Sequence, residues 1–380
     1  MSESTALAGA PAGQGSAPRT LAPWLQTQLE SLLLQRGHAW LLNGPSGLGQ
    51  FELALALATA WLCDAPTAHG ACGRCSSCHA VAVHTHADLC VLLPETLSLS
   101  LGWPLDEKTQ SELDAKKRKP SKEIKVDAAR DVVSFTQRTR ARGTTKVVLV
   151  FPAERMNVIT ANTLLKTLEE PPGAVKFILA TEAAHQLLPT IRSRCIGHTM
   201  VWPDFDTALA WLADEIEVNQ REGEGTRETA PKKSNRAPQK AGEANLRVLL
   251  RAAGGRPADV MGTLQDMAAH DAARHWQALP HAMAAGDATA LGVLTPPAAV
   301  EALQKLCHDV LATRMGAAPR FFSDGDLPAG DHAPSAPAIY ALTQWAKELN
   351  TAARTAEHPY NAGLMLEALA SRARQALAVR

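Results

Sequence analysis

The sequence predicts an α/β domain built on a parallel sheet, followed by an all-helical region. Three short apolar runs do not alternate with polar residues, at residues 38–43, 146–151 and 175–181, and this pattern is typical of strands buried on both faces. Helical patterns separate these runs, and strands that alternate with helices favour a parallel sheet covered on both sides. Beyond about Ala273 the chain is rich in alanine and leucine with a helical period.

The first strand leads into a glycine-rich loop, residues 44–49, and then into a helix predicted from Phe51 to about Cys63. A strand, a glycine loop and a helix open many nucleotide-binding units. Glycine turns also join strands to helices in proteins that bind no nucleotide. The loop by itself leaves both interpretations open.

The loop keeps the glycine frame of the phosphate-binding pattern G-x-x-x-x-G-K-[ST] and loses its reactive positions. The frame residues are Gly44, Gly47 and Gly49, the lysine position is Gln50, and the hydroxyl position is Phe51. In that pattern the lysine neutralises phosphate and the hydroxyl holds Mg²⁺. Neither replacement supplies charge or metal coordination, so no nucleotide cofactor is expected at this loop.

The other half of an ATP site is altered at the end of the second apolar run. A magnesium-binding strand normally ends in carboxylates that hold the ion and orient the attacking water, whereas this run is followed by Phe151 and Pro152. Glu154 lies two residues too late and is interpreted as an ordinary carboxylate at a helix start. With both halves altered, the sequence predicts that ATP is not hydrolysed here.

A cysteine cluster predicts a metal site. Four of the seven cysteines fall within sixteen positions: Cys63, Cys72, Cys75 and Cys78. Closely spaced cysteines let a short loop wrap Zn²⁺, and four thiolates complete the shell of a structural site. His69 or His79 could replace one thiolate, and four unrelated free cysteines are the plain alternative. We predict a structural zinc knuckle over residues 63–78.

Charge and hydropathy exclude several classes of protein. Lys plus Arg equals Asp plus Glu at 38 each, so no global field attracts nucleic acid. The basic run at residues 116–119 is interpreted as a solvated loop rather than a DNA contact. The N-terminal residues lack the apolar core of a signal peptide, and no run of 18 apolar residues occurs. We therefore expect a cytoplasmic protein with no membrane partner.

Three motifs in a fixed order closely resemble the signature of the clamp-loader subunits of bacterial DNA polymerase III, which have the AAA+ fold. They are NTLLKTLEEPP at residues 162–172, FILAT at 177–181 and SRC at 193–195. The resemblance continues through Pro23-Trp24, the altered loop, the cysteine cluster and HPYN at 358–361. It covers most of the chain.

This resemblance implies a fold and a set of partners. In this family the gamma/tau subunits hydrolyse ATP and carry intact motifs. The delta-prime subunits combine the SRC motif and a zinc module with a degenerate ATP site. The sequence is similar to the second group. Thr181 falls at the sensor-1 position, and Ala258 falls where active relatives keep a sensor-2 arginine. The implied partners are gamma/tau and delta subunits, with the sliding clamp and primed DNA reached through the complex.

By the same resemblance, Arg194 is an arginine finger that reaches into the ATP site of a neighbouring gamma/tau subunit. A guanidinium is permanently charged and its planar fork matches phosphate oxygens, so it can stabilise the charge of phosphoryl transfer. Without the resemblance, an arginine near a helix C-terminus would be explained by the helix dipole.

Two rival functions are weighed against this one. An active AAA+ ATPase of the gamma/tau kind is opposed by Gln50, Phe51 and Phe151. A zinc-dependent DNA-binding module is opposed by the balanced charge and by a closed four-cysteine site.

Composition and resemblance together predict the domain boundaries. In order we expect a flexible tail, an AAA+ core, a helical lid and a helical oligomerisation collar: residues 1–20, 21–202, 203–273 and 274–380. Two polar stretches, 105–125 and 219–245, lack the apolar residues that a core needs and are predicted to be unstructured insertions.

Overall fold

The computed structural model of the protein describes residues 21–224, 236–328, 335–356, 358 and 361–379. They form two compact units, which divide between Thr207 and Ala208. Within the described residues, no helix is both long and apolar enough to cross a membrane.

The first unit is built on a five-stranded parallel sheet with strand order β2-β3-β4-β1-β5. The strands are β1 Ala39–Asn43, β2 Leu89–Leu92, β3 Lys146–Val150, β4 Val175–Thr181 and β5 Ile196–Thr199. The structure confirms the predicted α/β fold class and the three predicted strands, which are β1, β3 and β4. The four-residue strands β2 and β5, at the two edges of the sheet, were not predicted.

Helices cover the sheet. In the described part of this unit they are α1 Pro23–Leu33, α2 Gln50–Leu62, α3 Ser76–Ala82, α4 Glu95–Ser100, α5 Glu107–Asp114, α6 Val126–Gln137, α7 Val158–Glu169 and α8 Pro189–Arg192. Alternate residues of β1, β3 and β4, such as Leu41, Val148 and Phe177, form one core cluster with α6 and α7. The residues between them, such as Leu42 and Leu149, are also completely buried and point to the opposite face. Both faces of the sheet are therefore covered.

The stretch 105–125 is not unstructured, and that prediction was wrong. It contains α5, which Asp106 caps by accepting a hydrogen bond from Thr109 N at 2.9 Å. The rest is tied to Glu95 of α4, which accepts hydrogen bonds from Arg118 and Lys125. Composition could not show this, because the carboxylate that orders the stretch lies outside it.

The second unit is helical, as predicted. Its helices, among the described residues, are α9 Phe205–Glu224, α10 Arg236–Ala252, α11 Pro257–Asp266, α12 Ala269–Ala285, α13 Pro296–Arg314, α14 Ala336–Thr355 and α15 Ala362–Ala378. Leucines of α12 to α15 share one apolar core. Asn361 caps α15 by accepting a hydrogen bond from Leu364 N at 3.3 Å.

The predicted boundaries inside this helical region stay predictions. The boundary near residue 273 falls inside α12. Of the predicted insertion 219–245, residues 225–235 lie outside the described part of the chain, and the ends of α9 and α10 flank them. The predicted tail, residues 1–20, also lies outside it.

Candidate functional site

The glycine-rich loop leaves β1 and enters α2 with the backbone of a phosphate-binding loop. Gly47 and Gly49 have positive φ angles of 81° and 92°, a conformation that other residues rarely adopt. A Cβ atom at Gly49 would lie 2.6 Å from Leu25 Cδ1. Helix α1 therefore packs directly against the loop, and glycine is required at this position for both reasons.

Gln50, at the lysine position, closes the loop on itself. Its side chain is 1% exposed, and its Nε2 donates hydrogen bonds to Gly44 O at 2.8 Å and to Pro45 O at 2.6 Å. Both acceptors belong to the loop that would surround a phosphate. A neutral amide satisfied inside the loop offers phosphate neither charge nor space.

An aromatic cluster surrounds Phe51, the residue at the hydroxyl position of the phosphate-binding pattern. The ring of Phe51, at the hydroxyl position, lies 5.5 Å from the ring of Phe151, at the carboxylate position. Trp103 packs edge-on to Phe51 at 6.4 Å, and His84 stacks on Trp103 at 3.9 Å. Phe51 and Phe151 are 8% and 5% exposed. The sequence had not predicted that Trp103 and His84 would join these rings.

Glu95, the first residue of α4, precedes Trp103 in the chain and binds residues that follow α5. The side chain of Glu95 is 11% exposed, and burial alone would raise its pKa. Hydrogen bonds from Arg118, Lys125 and the backbone N–H of Ser121 outweigh burial and lower the pKa of Glu95 to about 2. An ionised carboxylate with these donors ties residues 118–125 to the start of α4.

Glu154 differs from its interpretation as an ordinary carboxylate at a helix start. It is the middle residue of a short 3₁₀ turn, Ala153–Arg155, and its side chain reaches the end of β4. Oε2 accepts a hydrogen bond from Thr181 Oγ1 at 2.7 Å, and Oε1 accepts one from Glu182 N at 3.1 Å. The hydroxyl at the sensor-1 position therefore donates to a carboxylate of the same unit.

The four predicted cysteines come together between the end of α2 and the start of α3. The Sγ atoms of Cys63, Cys72, Cys75 and Cys78 all lie within 4.8 Å of one another. Cys63 Sγ and Cys75 Sγ are 3.8 Å apart, which is about the 3.8 Å edge of a tetrahedron of sulfur atoms around Zn²⁺ at 2.3 Å. The donor set and its spacing fit a tetrahedral, thiolate-binding metal.

The cysteine cluster is also an electrostatic conflict that a cation would relieve. Burial raises the pKa of Cys63 and of Cys78. Backbone N–H groups of Arg74 and Cys75 lower the pKa of Cys72 to about 6. Four thiolates in so small a volume repel one another, and a bound divalent cation neutralises them.

Arg194 lies on the surface between α8 and β5. Its Nε donates to Glu169 Oε1 at 2.6 Å, its Nη2 donates to the same oxygen, and its Nη1 donates to Thr190 O at 2.6 Å. The side chains of Arg194 and Glu169 are 30% and 45% exposed. With His38, Leu168 and Ser193, they line a shallow surface groove, and the sequence had singled out neither Glu169 nor His38.

The topology separates Arg194 from the glycine loop of its own chain. Strands β1 and β5 are parallel neighbours. His38 and Arg194 precede these two strands and lie at the amino edge of the sheet, whereas the loop follows β1 at the carboxyl edge. Five residues of β1 span about 16 Å at 3.3 Å per residue. Arg194 therefore cannot reach the glycine loop of its own chain.

Comparisons with known proteins find similarities over the first unit. A family model described as DNA polymerase III, delta subunit, matches residues 20–200. The delta′ subunit of DNA polymerase III from Pseudomonas aeruginosa is 40% identical over 193 residues, which are 50% of this chain and 52% of that protein. The delta′ subunit from Escherichia coli is 35% identical over 203 residues, covering 52% of this chain and 54% of that protein.

A tau subunit is also similar to this chain, over a shorter region. The tau subunit of DNA polymerase III from Escherichia coli is 33% identical over 159 residues, covering 42% of this chain and 21% of that protein. The chain spans about half the length of the delta′ relatives it matches. The matched region includes the closed loop, the cysteine cluster and Arg194. Residues 20–200 are therefore similar both to DNA polymerase III delta′ subunits and to the family described as DNA polymerase III, delta subunit.

Proposed function

We propose that the protein is a non-hydrolysing delta-prime subunit of the DNA polymerase III clamp loader. In this proposal it assembles with gamma/tau and delta subunits, and the complex loads the sliding clamp on primed DNA. Its own loop handles no ATP, and Arg194 acts in trans at the ATP site of a neighbouring gamma/tau subunit. The observation that carries the proposal is the contrast between a loop filled by Gln50 and Phe51 and an arginine exposed at the opposite sheet edge.

The chemistry proposed for Arg194 is charge stabilisation. During phosphoryl transfer, negative charge is spread over the equatorial oxygens, and a guanidinium supplied by a partner stabilises it without a proton transfer. A finger supplied in trans contributes on the order of 10³–10⁵ to the rate in systems of this kind. The partial exposure of Arg194 leaves it accessible to a neighbouring chain.

The test is ATP turnover by the clamp loader assembled from this chain with gamma/tau and delta, in the presence of clamp and primed DNA. Replacing the wild-type chain by Arg194→Ala should lower turnover while the complex still assembles. Arg192→Ala is the matched control, because Arg192 is an exposed arginine two residues away, and it should leave turnover unchanged. The proposal fails if the chain alone hydrolyses ATP, or if Arg194→Ala has no effect on the complex.

The metal proposed for the four cysteines is structural Zn²⁺. Its ligands would be Cys63, Cys72, Cys75 and Cys78, which leave no position open for water, and its role would be to fix the segment between α2 and α3. Elemental analysis should find about one zinc per chain, and Cys72→Ser should lose the metal and lower the melting temperature. Cys90→Ser, which lies outside the cluster, should keep it. A full-length chain purified without zinc at undiminished stability would contradict the proposal.

A further inference from the structure

The guanidinium of Arg194 is held on two sides by the same chain. On one side, Nε and Nη2 both donate to Glu169 Oε1, and on the other side Nη1 donates to Thr190 O. Two acceptors that lie on different sides of a planar group fix its plane and its direction. An arginine with 30% of its side chain exposed would otherwise sample many rotamers.

Glu169 is itself set by the end of a helix. It is the last residue of α7, which ends before Pro171-Pro172, and Glu170 N still donates to Lys166 O. The C-terminus of a helix carries partial negative charge, so a carboxylate there is unfavourable unless a cation accompanies it. Arg194 supplies that cation. Glu169 is thus carried by the end of α7, and Arg194, which pairs with it, is partly exposed.

We propose that Glu169 is the positioning residue of Arg194, and that its carboxylate aims the guanidinium at the phosphates bound by the neighbouring subunit. This inference rests on the proposed function in trans. The two N–H groups on the Glu169 side are engaged, so the outer edge of the guanidinium, formed by Nη1 and Nη2, is the edge that meets phosphate. Glu169 touches neither nucleotide nor partner in this scheme and acts through Arg194.

A competing role for the same ion pair has the opposite sign. If Glu169 instead sequestered Arg194 until a phosphate displaced it, then removing the carboxylate would free the finger and raise turnover. Positioning predicts a fall in turnover, because a misdirected arginine loses its alignment with the reacting phosphate. The direction of the change decides between the two roles.

The experiment uses the assembled clamp loader and four variants of this chain, each measured beside the wild type and Arg194→Ala. Glu169→Ala should lower turnover at the site it serves by about 10-fold, within the range that misplacement of a catalytic group produces. Glu169→Gln keeps an oxygen acceptor and should lower it less. Glu170→Ala, at the exposed neighbour of the same charge, is the matched control and should leave turnover unchanged. The affinity for ATP and the assembly of the complex should stay constant in all of these.

The fourth variant, the double change Glu169→Ala with Arg194→Ala, shows through which residue Glu169 acts. Once Arg194 is removed, Glu169→Ala should cause no further loss, because a positioning residue has no effect without the group it positions. A further loss in the double variant, or unchanged or raised turnover in Glu169→Ala alone, overturns the inference while the function of Arg194 stands. If Arg194→Ala itself has no effect, the proposed function fails instead.

Discussion

The two ends of strand β1 differ in how their polar groups are satisfied. At the carboxyl end, Gln50 bonds the carbonyls of its own loop, and the rings of Phe51 and Phe151 are packed together. At the amino end, Arg194 and Glu169 pair at the surface with much of each side chain exposed. The first end is part of the core, and the second is available to another molecule. The same strand therefore ends in buried packing on one side and in a partly exposed ion pair on the other.

The comparison has an energetic consequence. Buried rings and buried hydrogen bonds stabilise a fold by several kcal/mol, whereas an exposed ion pair contributes about 0–1 kcal/mol. We call the carboxyl end, with Gln50 and Phe51, the closed end, and the amino end, with Arg194 and Glu169, the open end. Substitutions at the closed end should change the free energy of unfolding. Substitutions at the open end should change the ATP turnover of the assembled complex.

The largest effect is expected from Phe51→Ala. Removing the ring leaves a cavity beside Phe151 and Trp103, and the free energy of unfolding should fall by about 3–5 kcal/mol. Urea unfolding measures it. Phe51→Leu, which keeps most of the volume, should cost less than about 1.5 kcal/mol. Equal stability of Phe51→Ala and wild type would mean that the closed end is not packed as described.

A smaller effect, dependent on pH, is expected at Glu95. Its pKa is about 2 in the folded chain against 4.5 as the ordinary value, so its contribution is fully present above pH 4.5 and is lost as the pH falls towards 2. The shift corresponds to about 3 kcal/mol. Glu95→Gln should lose that stability at pH 7 and flatten the decline between pH 4.5 and 2.

Exposed Glu107 provides the control for this pH dependence. Glu107→Gln, in the first turn of α5, should lower the free energy of unfolding at pH 7 by less than about 1 kcal/mol. If the free energy of unfolding depended on pH in the same way for Glu95→Gln and for wild type, Glu95 would not hold residues 118–125 as described.

The closed loop can be tested at Gln50 with an isosteric change. Gln50→Glu has the same shape but replaces the donating amide with a carboxylate that faces Gly44 O and Pro45 O. We expect a loss of about 2 kcal/mol, the range for unpaired buried polar groups. Gln50→Met, which removes the donor without adding charge, should cost less than Gln50→Glu. The reverse order would argue against the two hydrogen bonds.

The smallest change in stability is expected at the open end. Arg194→Ala should alter the free energy of unfolding by less than about 1 kcal/mol, because the ion pair with Glu169 is exposed. Thermal unfolding of the free chain measures it. A loss as large as that of Phe51→Ala would mean that Arg194 supports the fold, and the contrast between the two ends would disappear.

The sequence predicted the parts of the fold that repeat a pattern. Strands β1, β3 and β4 are apolar throughout their centres, so composition alone marks them. Strand β5, with Gly197 and His198, is short and partly polar, and its pairing with β1 depends on long-range contacts. Helix α5 was missed because Glu95, which orders its neighbourhood, is distant along the chain.

In the candidate site, too, local features could be predicted from the sequence and long-range contacts could not. The spacing of the cysteines predicted their cluster, since residues close in sequence are close in space. The altered residues Gln50 and Phe51 indicated a lost ATP site, but not what fills it. Trp103 contacts Phe51 from a segment about fifty residues away. Glu154, which follows β3, accepts a hydrogen bond from Thr181 at the end of the neighbouring strand β4. Such contacts follow from the folded topology rather than from local pattern.

The hydrogen bond between Thr181 and Glu154 has one more consequence. The hydroxyl of Thr181 donates to Glu154 Oε2 at 2.7 Å, and the backbone N–H of Glu182 donates to Glu154 Oε1 at 3.1 Å. Glu154 follows β3, and Thr181 is the last residue of β4. One carboxylate therefore joins the ends of two neighbouring strands, and a shift of either strand end relative to the other would break a hydrogen bond.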